Sequence, residues 1–242
     1  MVTTNRESGT NVHEVADGIY RINTPMPPSF IPGGFSFNQY LLAGDEPLLF
    51  HTGLRKMFPL TLEAVRAVMP VDRLRYIGFS HFEADECGAL NDWLSVAPQA
   101  QPVCSQVAAM VSVNDYADKP ARAMGHQEVL DTGGHRLTWL DTPHLPHGWE
   151  TGYFFDETTR TLLCGDLFTQ PGVGEKAITE DDILEPSEAS RAEMDYFSHS
   201  KHAPHLLELL AATEPTTLAC MHGSAWKGDG AGLLRELSSR IT

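Results

Sequence analysis

The segment Ser80-His81-Phe82-Glu83-Ala84-Asp85-Glu86-Cys87-Gly88 decides how this chain is read. It follows LRYIGFS (74–80), a short apolar run with β character. It opens ADECGALNDWLSVAP (84–98), which reads as one helix ending near Pro98. The polar residues therefore project from a strand-to-helix loop, a usual position for ligands on a rigid sheet. His81, Glu83 and Asp85 alternate, and in extended backbone residues two apart point the same way. One neutral imidazole and two carboxylates on one side of a loop form half of a metal site. By itself H-x-E-x-D also occurs by chance in solvated loops.

Three further candidates lie at other strand ends. His147 follows LDTPHLP (140–146), Asp166 ends TLLCGD (161–166) and His222 ends TTLACMH (216–222). A single His or Asp at such a place is ordinarily a hydrogen-bonded loop residue. A carboxylate behind a buried apolar run is costly unless it is paired or metal-bound. Six such residues at four successive strand ends point to one shared metal site.

Outward from these positions, strands and helices alternate. VHEVADGIYRI (12–22) reads as a hairpin around Asp17-Gly18. TPMPPSFIPGGF (24–35) is rich in Pro and Gly and is expected to be an irregular loop. FNQYLLAG (37–44) and PLLFHT (47–52) form a second hairpin. Leu60, Ala64, Val65 and Val68 then mark one helical face, closed by Pro70. QPVCS (101–105) is a strand before the helical QVAAMVSV (106–113). QEVLD (127–131), HRLTWLD (135–141), GYFFD (152–156) and TLLCGD are further strands. From 185 to 213 the helix is expected in the C-terminal half, with Pro204 in its first turn or marking a kink. TTLACMH is the last strand and AGLLRELSSR (231–240) the last helix. This order suggests two sheets covered by helices, an α/β sandwich.

The 242 residues contain no linker-like stretch, so one domain spanning 1–242 is expected. The formal net charge of −15 argues against nucleic acid and anionic membrane surfaces as partners. MVTTNRESGTNVHEV (1–15) carries no signal-peptide pattern, and no run approaches the roughly 20 apolar residues of a membrane span. A cytoplasmic location is expected. Cys87, Cys104, Cys164 and Cys220 are scattered without a CxxC pair and read as reduced, buried thiols.

The order of these motifs resembles the metallo-β-lactamase superfamily, whose usual loop reads H-x-H-x-D-H. Glu83 stands where the second His would be, as in the diiron domain of flavodiiron proteins, which reduce dioxygen or nitric oxide. The resemblance runs from the FNQYLL…LFHTG hairpin to CMHG, and the nineteen-residue step from His147 to Asp166 selects His147 over His144. It implies an αββα sandwich of two mixed sheets flanked by helices. His81, Glu83 and His147 would hold one iron, Asp85 and His222 the other, and Asp166 would bridge them. A carboxylate in place of an imidazole also hardens the site, favouring iron or manganese over zinc.

The chain departs from that pattern in two places. Glu86 replaces the last His of the loop; a supporting role behind the ligands is favoured over ligation of the second metal or a solvent-facing position. His51, in LFHTG, replaces a supporting Asp and would affect ligand orientation. His144 is a further candidate for contact with a bound ligand. His199, His202 and His205 are spaced by three but read as a solvated helix face. Phe82 and Trp149 are candidates for keeping the pocket dry.

The resemblance implies a nonhaem diiron protein that binds or reduces dioxygen or nitric oxide. Reduction of dioxygen to water takes four electrons and a diferrous pair supplies two, so a separate electron-donor protein is expected. No flavin-binding domain is expected within this chain, and a homodimer is. The alternatives are a dinuclear zinc or manganese hydrolase of the same superfamily, whose metal-bound hydroxide attacks the substrate, and a non-enzymatic gas or redox sensor.

Overall fold

The computed structural model describes residues 1–241. The chain begins as a meander: β1 (Val2–Thr3), β2 (Asn11–Ala16), β3 (Ile19–Met26), β4 (Phe35–Leu42) and β5 (Leu48–Phe50) pair antiparallel in order. Gly18, with φ +69°, makes the expected turn between β2 and β3. β3 runs further than expected, through Thr24-Pro25-Met26, so the irregular loop is confined to 27–34. Parallel strands β6 (Tyr76–Gly78), β7 (Gln101–Ser105) and β8 (Arg122–Met124) complete this sheet.

The second sheet is also mixed. β9 (Val129–Asp131), β10 (Arg136–Asp141), β11 (Gly152–Asp156) and β12 (Thr161–Leu163) are antiparallel neighbours. β14 (Thr217–Ala219) joins β12 in parallel. Two short strands, β13 (Ile178–Thr179) and β15 (Ala225–Lys227), extend the edge in the order β14-β15-β13. β1, β8, β13 and β15 were not anticipated. Each has two or three residues, too short for hydrophobic alternation to register.

The helices lie on the outer faces. α1 (Phe58–Arg66) and α3 (Leu90–Val96) bury Ala64, Val65, Leu90 and Trp93 against Leu41, Leu49 and Ile77 of the first sheet. Between them in sequence, α2 (Ala84–Cys87) is a separate turn, so the single helix expected over 84–98 is broken. The break is at Ala89, whose N–H donates to Thr52 Oγ1 at 3.1 Å and Gly53 O at 3.2 Å. At the preceding residue, Gly88, a Cβ would stand 3.3 Å from Arg55 N. The 106–116 segment is α4 (Gln106–Ala108), a π turn (Ala109–Val113) and α5 (Asn114–Tyr116).

On the other side, α6 (Leu184–Met194), α7 (Ala203–Ala211) and α8 (Gly230–Arg240) bury Leu184, Leu207, Leu210, Leu234 and Leu237 against Leu162 and Leu218. Pro204 sits in the first turn of α7, as expected. α6 is helical where only the following half had been expected; its apolar residues are too few to mark a face. Tyr40, Phe50, Trp139 and Phe154 fill the space between the sheets. Burying each such side chain is worth roughly 1.5–3 kcal/mol. The architecture is the αββα sandwich. None of the described helices is long and apolar enough to cross a membrane.

Candidate metal centre

The candidate residues meet along one edge of the sandwich. His51 follows β5, His81 follows β6, Asp166 follows β12 and His222 follows β14, all beyond the carboxyl ends of parallel-paired strands. His147 comes from the loop between β10 and β11. Loops there can carry polar groups because the strands behind them are buried on both faces.

Asp166 is central. Its Oδ2 lies 3.5 Å from His81 Nε2 and 3.3 Å from His147 Nε2, and its Oδ1 lies 3.3 Å from His222 Nε2. On one side, Glu83 Oε1 is 3.2 Å from His147 Nε2 and 3.8 Å from His81 Nε2. On the other, Asp85 Oδ2 is 3.7 Å from His222 Nε2. All six predicted residues are thus brought together, in two groups either side of Asp166. The alternation expected to align His81, Glu83 and Asp85 ends at Glu83, because α2 starts at Ala84. Asp85 and Glu86 reach the cluster from the first turn of that helix.

Each imidazole is held by its other nitrogen. His147 Nδ1 donates to Tyr196 O at 2.9 Å, and His222 Nδ1 donates to Ser36 O at 2.9 Å. His81 Nδ1 lies 2.9 Å from Ser80 Oγ, which is in turn 3.0 Å from His51 Nε2. Because the Ser80 backbone N–H also points at His51 Nε2, that nitrogen is an acceptor. The consistent chain is therefore His81 N–H to Ser80 Oγ, and Ser80 O–H to His51. In all three cases the Nε2 lone pair is turned inward, the arrangement of histidines that ligate metals. His51 itself is fully buried, and burial first of all pushes its pKa down to about 3, so it is a neutral support.

The electrostatics call for a cation. The hydrogen bond with His147, then that with His81, holds Glu83 down at about 2. Burial opposes charge on His147, but Glu83 and Asp166 raise it to about 9. Burial likewise opposes charge on Asp166, and the three histidines nevertheless hold it well below the carboxylate range. Among the described residues, no Lys or Arg pairs with any carboxylate of the cluster. Asp166 Oδ1 and both oxygens of Glu86 are buried without a hydrogen-bond partner. Converging imidazole lone pairs, several carboxylates and orphaned buried oxygens fit metal cations and fit no other group as well.

The surroundings were only partly foreseen. Phe35 and Phe37 flank the His222 ring at 4.4 and 5.4 Å and shield it from water. Phe82 packs edge-on against Tyr116 at 5.4 Å, and its N–H donates to Glu150 Oε1 at 3.0 Å, tethering the loop. Trp149 is 55% exposed and lines a different surface cavity, so it does not seal the cluster. His144 is exposed and faces a small cavity with Arg191 and His199, away from the six. His199 precedes α7 and pairs with Asp195 at 2.8 Å; His202 and His205 are exposed, as expected of a solvated face. Cys87, Cys104, Cys164 and Cys220 are all free and buried. Ser80, Ser36 and Tyr196 were missed as supports. Ser80 adjoins His81, whereas the other two contribute main-chain carbonyls, which every residue has.

A model of the ODP family of β-lactamase-like proteins matches residues 35–223. Rubredoxin-oxygen oxidoreductase of Megalodesulfovibrio gigas is 24% identical over 208 residues, 81% of this chain and 50% of its own length. Diflavin flavoprotein A 1 of Synechocystis sp. is 27% identical over 141 residues, 57% of this chain and 24% of its own length. The chain therefore spans half or less of these relatives. Among solved structures, a variant of the flavo di-iron protein from Thermotoga maritima superposes with TM-score 0.84 at 19% identity, covering 96% of this chain and 62% of that one. The rubredoxin oxygen:oxidoreductase of Desulfovibrio gigas gives 0.81 at 18% identity, covering 95% and 61%. At these identities the superpositions speak to the fold.

Proposed function

This chain belongs to the ODP family of β-lactamase-like proteins, and we propose that it is a nonhaem diiron protein that binds and reduces dioxygen or nitric oxide. The carrying observation is Asp166, whose two oxygens face histidines on opposite sides, the placement of a bridging carboxylate. His81, Glu83 and His147 would hold one iron, Asp85 and His222 the other. When bound, the iron pair would supply the redox chemistry and the open positions for a diatomic ligand.

The chain's own residues do the rest. Ser80, Tyr196 and Ser36 fix the three imidazoles with their Nε2 atoms inward. Phe35 and Phe37 exclude water on the His222 side. Glu83 is half exposed, so the approach to the cluster is from its side. Hard carboxylate donors favour iron or manganese over zinc. Electrons would come from a separate protein; the name of one relative couples oxygen to rubredoxin. We read residues 1–242 as one domain, cytoplasmic and homodimeric; the core shared by both sheets supports the first of these.

Purification without added metal, assay of iron, zinc and manganese, and spectra before and after anaerobic reduction and air exposure test this function. About two irons per chain with an oxygen-dependent absorbance change is the expected result. Stoichiometric zinc with esterase activity would overturn it in favour of a hydrolase. A reversible oxygen response without oxygen consumption, in the presence of NADH and a generic flavin reductase, would leave binding and sensing in place of reduction.

A further inference from the structure

The strand end that carries His222 is fastened from across the sandwich. β14 belongs to the second sheet, yet the carbonyls around His222 are held by β3 and β4 of the first. Cys220 O accepts from Asn38 Nδ2 at 2.9 Å and from Tyr40 Oη at 2.8 Å. Gly223 O accepts from Asn38 Nδ2 at 2.8 Å and from Arg21 Nη2 at 2.6 Å. The Asn38 N–H donates to Met221 O at 2.8 Å, so this one residue grips the chain on both sides of His222. Arg21 lies opposite Tyr40 in the β3–β4 register, and Asn38 is two residues from Tyr40, which puts all three side chains on the inner face.

Arg21 stands out among them. It is fully buried, and among the described residues no Asp or Glu pairs with it. Burial lowers its pKa to about 10, so it stays charged at neutral pH. Its Nη2 also donates to Gly174 O at 3.1 Å, while Nε and Nη1 have no hydrogen-bond partner. A Cβ on Gly174 would collide with Nη2, so the loop closes over the guanidinium only because that residue is glycine. An apolar side chain would fill the space without burying a charge, and for stability alone would serve as well or better. A cation kept there for a carbonyl beside His222 has its use at the metal centre.

We propose that Arg21 and Asn38 are positioning residues of the metal centre, holding the His222 backbone so that its imidazole reaches the ion it shares with Asp85. In this role, which rests on the dinuclear reading above, they touch no metal. His222 Nδ1 reaches Ser36 O at 2.9 Å and its Nε2 faces Asp166 Oδ1 at 3.3 Å. A shift of the strand end by about 1 Å would break both contacts. His81 and His147 are held instead by Ser80 Oγ and Tyr196 O. Loss of the clamp therefore weakens one ion and spares the other.

The test uses the full chain with Arg21→Met and Asn38→Ala, two independent cuts of the clamp, and Arg21→Lys, which keeps a charged donor. Each is titrated anaerobically with ferrous iron, and equilibrium dialysis reads the ions bound per chain and both affinities. Arg21→Met and Asn38→Ala should weaken the ion held by His222 and Asp85 about tenfold to a hundredfold, and leave the other unchanged. Arg21→Lys should lie between Arg21→Met and wild type. The same loss should appear in a His147→Ala background, which retains the His222 side, and vanish in His222→Ala. Wild-type affinity for both ions in Arg21→Met and Asn38→Ala would overturn the positioning role alone. So would an equal loss of both ions with earlier unfolding of the metal-free protein, the mark of a merely structural clamp. Wild type taking up no iron pair would overturn the dinuclear reading, and this role with it.

Discussion

The Nε2 atoms of His81 and His147 face each other at 2.9 Å, while the Nδ1 atom of each is engaged by a group outside the cluster. Two nitrogens this close need either a proton or a metal cation between them, and the acids around His147 favour that positive charge. The fold therefore gathers groups that favour positive charge at one point, and a metal ion would displace the proton there.

Metal and stability should consequently be linked. At a free ion concentration about a thousandfold above Kd, binding to the folded state alone contributes about 4 kcal/mol. For a chain of this size that raises the thermal midpoint by roughly 8–16 °C. Differential scanning calorimetry with and without a chelator measures it. A midpoint insensitive to chelation would mean that the folded cluster holds no metal.

Ser80→Ala should weaken metal binding about tenfold to a hundredfold, the usual effect of removing the partner that orients a ligating histidine. The hydroxyl bridges His81 and His51, and its loss leaves His81 free to rotate or change tautomer. Far-ultraviolet circular dichroism should be unchanged, since Ser80 O still accepts from Gly152 N. Unaltered affinity would show that packing alone orients His81.

His135 and Asp156, at the ends of β10 and β11 remote from the loop that carries His147, form a buried pair with Nδ1 and Oδ2 2.8 Å apart. Burial disfavours charge on His135, yet Asp156 raises it above its ordinary 6.5. Its contribution is thus complete below about 6.5 and fades as pH climbs through the raised value. Burial also disfavours charge on Asp156, but His135 and Thr159 hold it below its ordinary 3.8. That contribution is complete above about 3.8 and fades as pH falls. The pair therefore stabilises most between about pH 4 and 6.5. Asp156→Asn should cost roughly 3–5 kcal/mol within that window, read from urea unfolding at several pH values. An equal loss at pH 5 and pH 9 would exclude the ionic account.

Gly152→Ala should destabilise by about 3 kcal/mol, at the upper end for overpacking. A Cβ there would stand 2.3 Å from Trp139 Cζ2, and the ring is fully buried with its N–H donating to Asp141 Oδ1 at 2.7 Å. Guanidinium unfolding measures the change; a neutral result would mean that the indole shifts freely.

Replacing His199, His202 and His205 together by Ala should leave iron content at the wild-type value. All three are exposed, and His199 is already paired with Asp195. Loss of iron in that variant would require a second site at or before the start of α7.

Long, patterned elements were legible in the sequence. The β2–β3 hairpin declared itself through Asp17-Gly18, α1 through Ala64 and Val65, and β11 and β12 through their apolar runs. The short strands β8, β13 and β15 were not, because their pairing is set by neighbours distant in the chain. The single helix expected over 84–98 failed for a similar reason. Thr52 and Gly53, more than thirty residues earlier, take the Ala89 N–H and divide it.

By itself the sequence nominated the candidate ligands, from the strand-end positions of His81, Asp166 and His222 and from the family resemblance of the motifs. Its apolar periods suggested an α/β sandwich, and the family resemblance of its motifs implied the two mixed sheets. Tertiary structure alone decided how those residues face one another. Asp166 stands between two groups of ligands because β6, β12 and β14 end along one edge of the sandwich. It likewise decided that His144 and Trp149 face elsewhere, and that Glu86 is buried with both oxygens free. The physical reason is range. Propensity and periodicity act over a few neighbours, whereas burial, tautomer and the sharing of charge depend on groups far apart in the chain, such as Ser36 and His222, 186 residues apart.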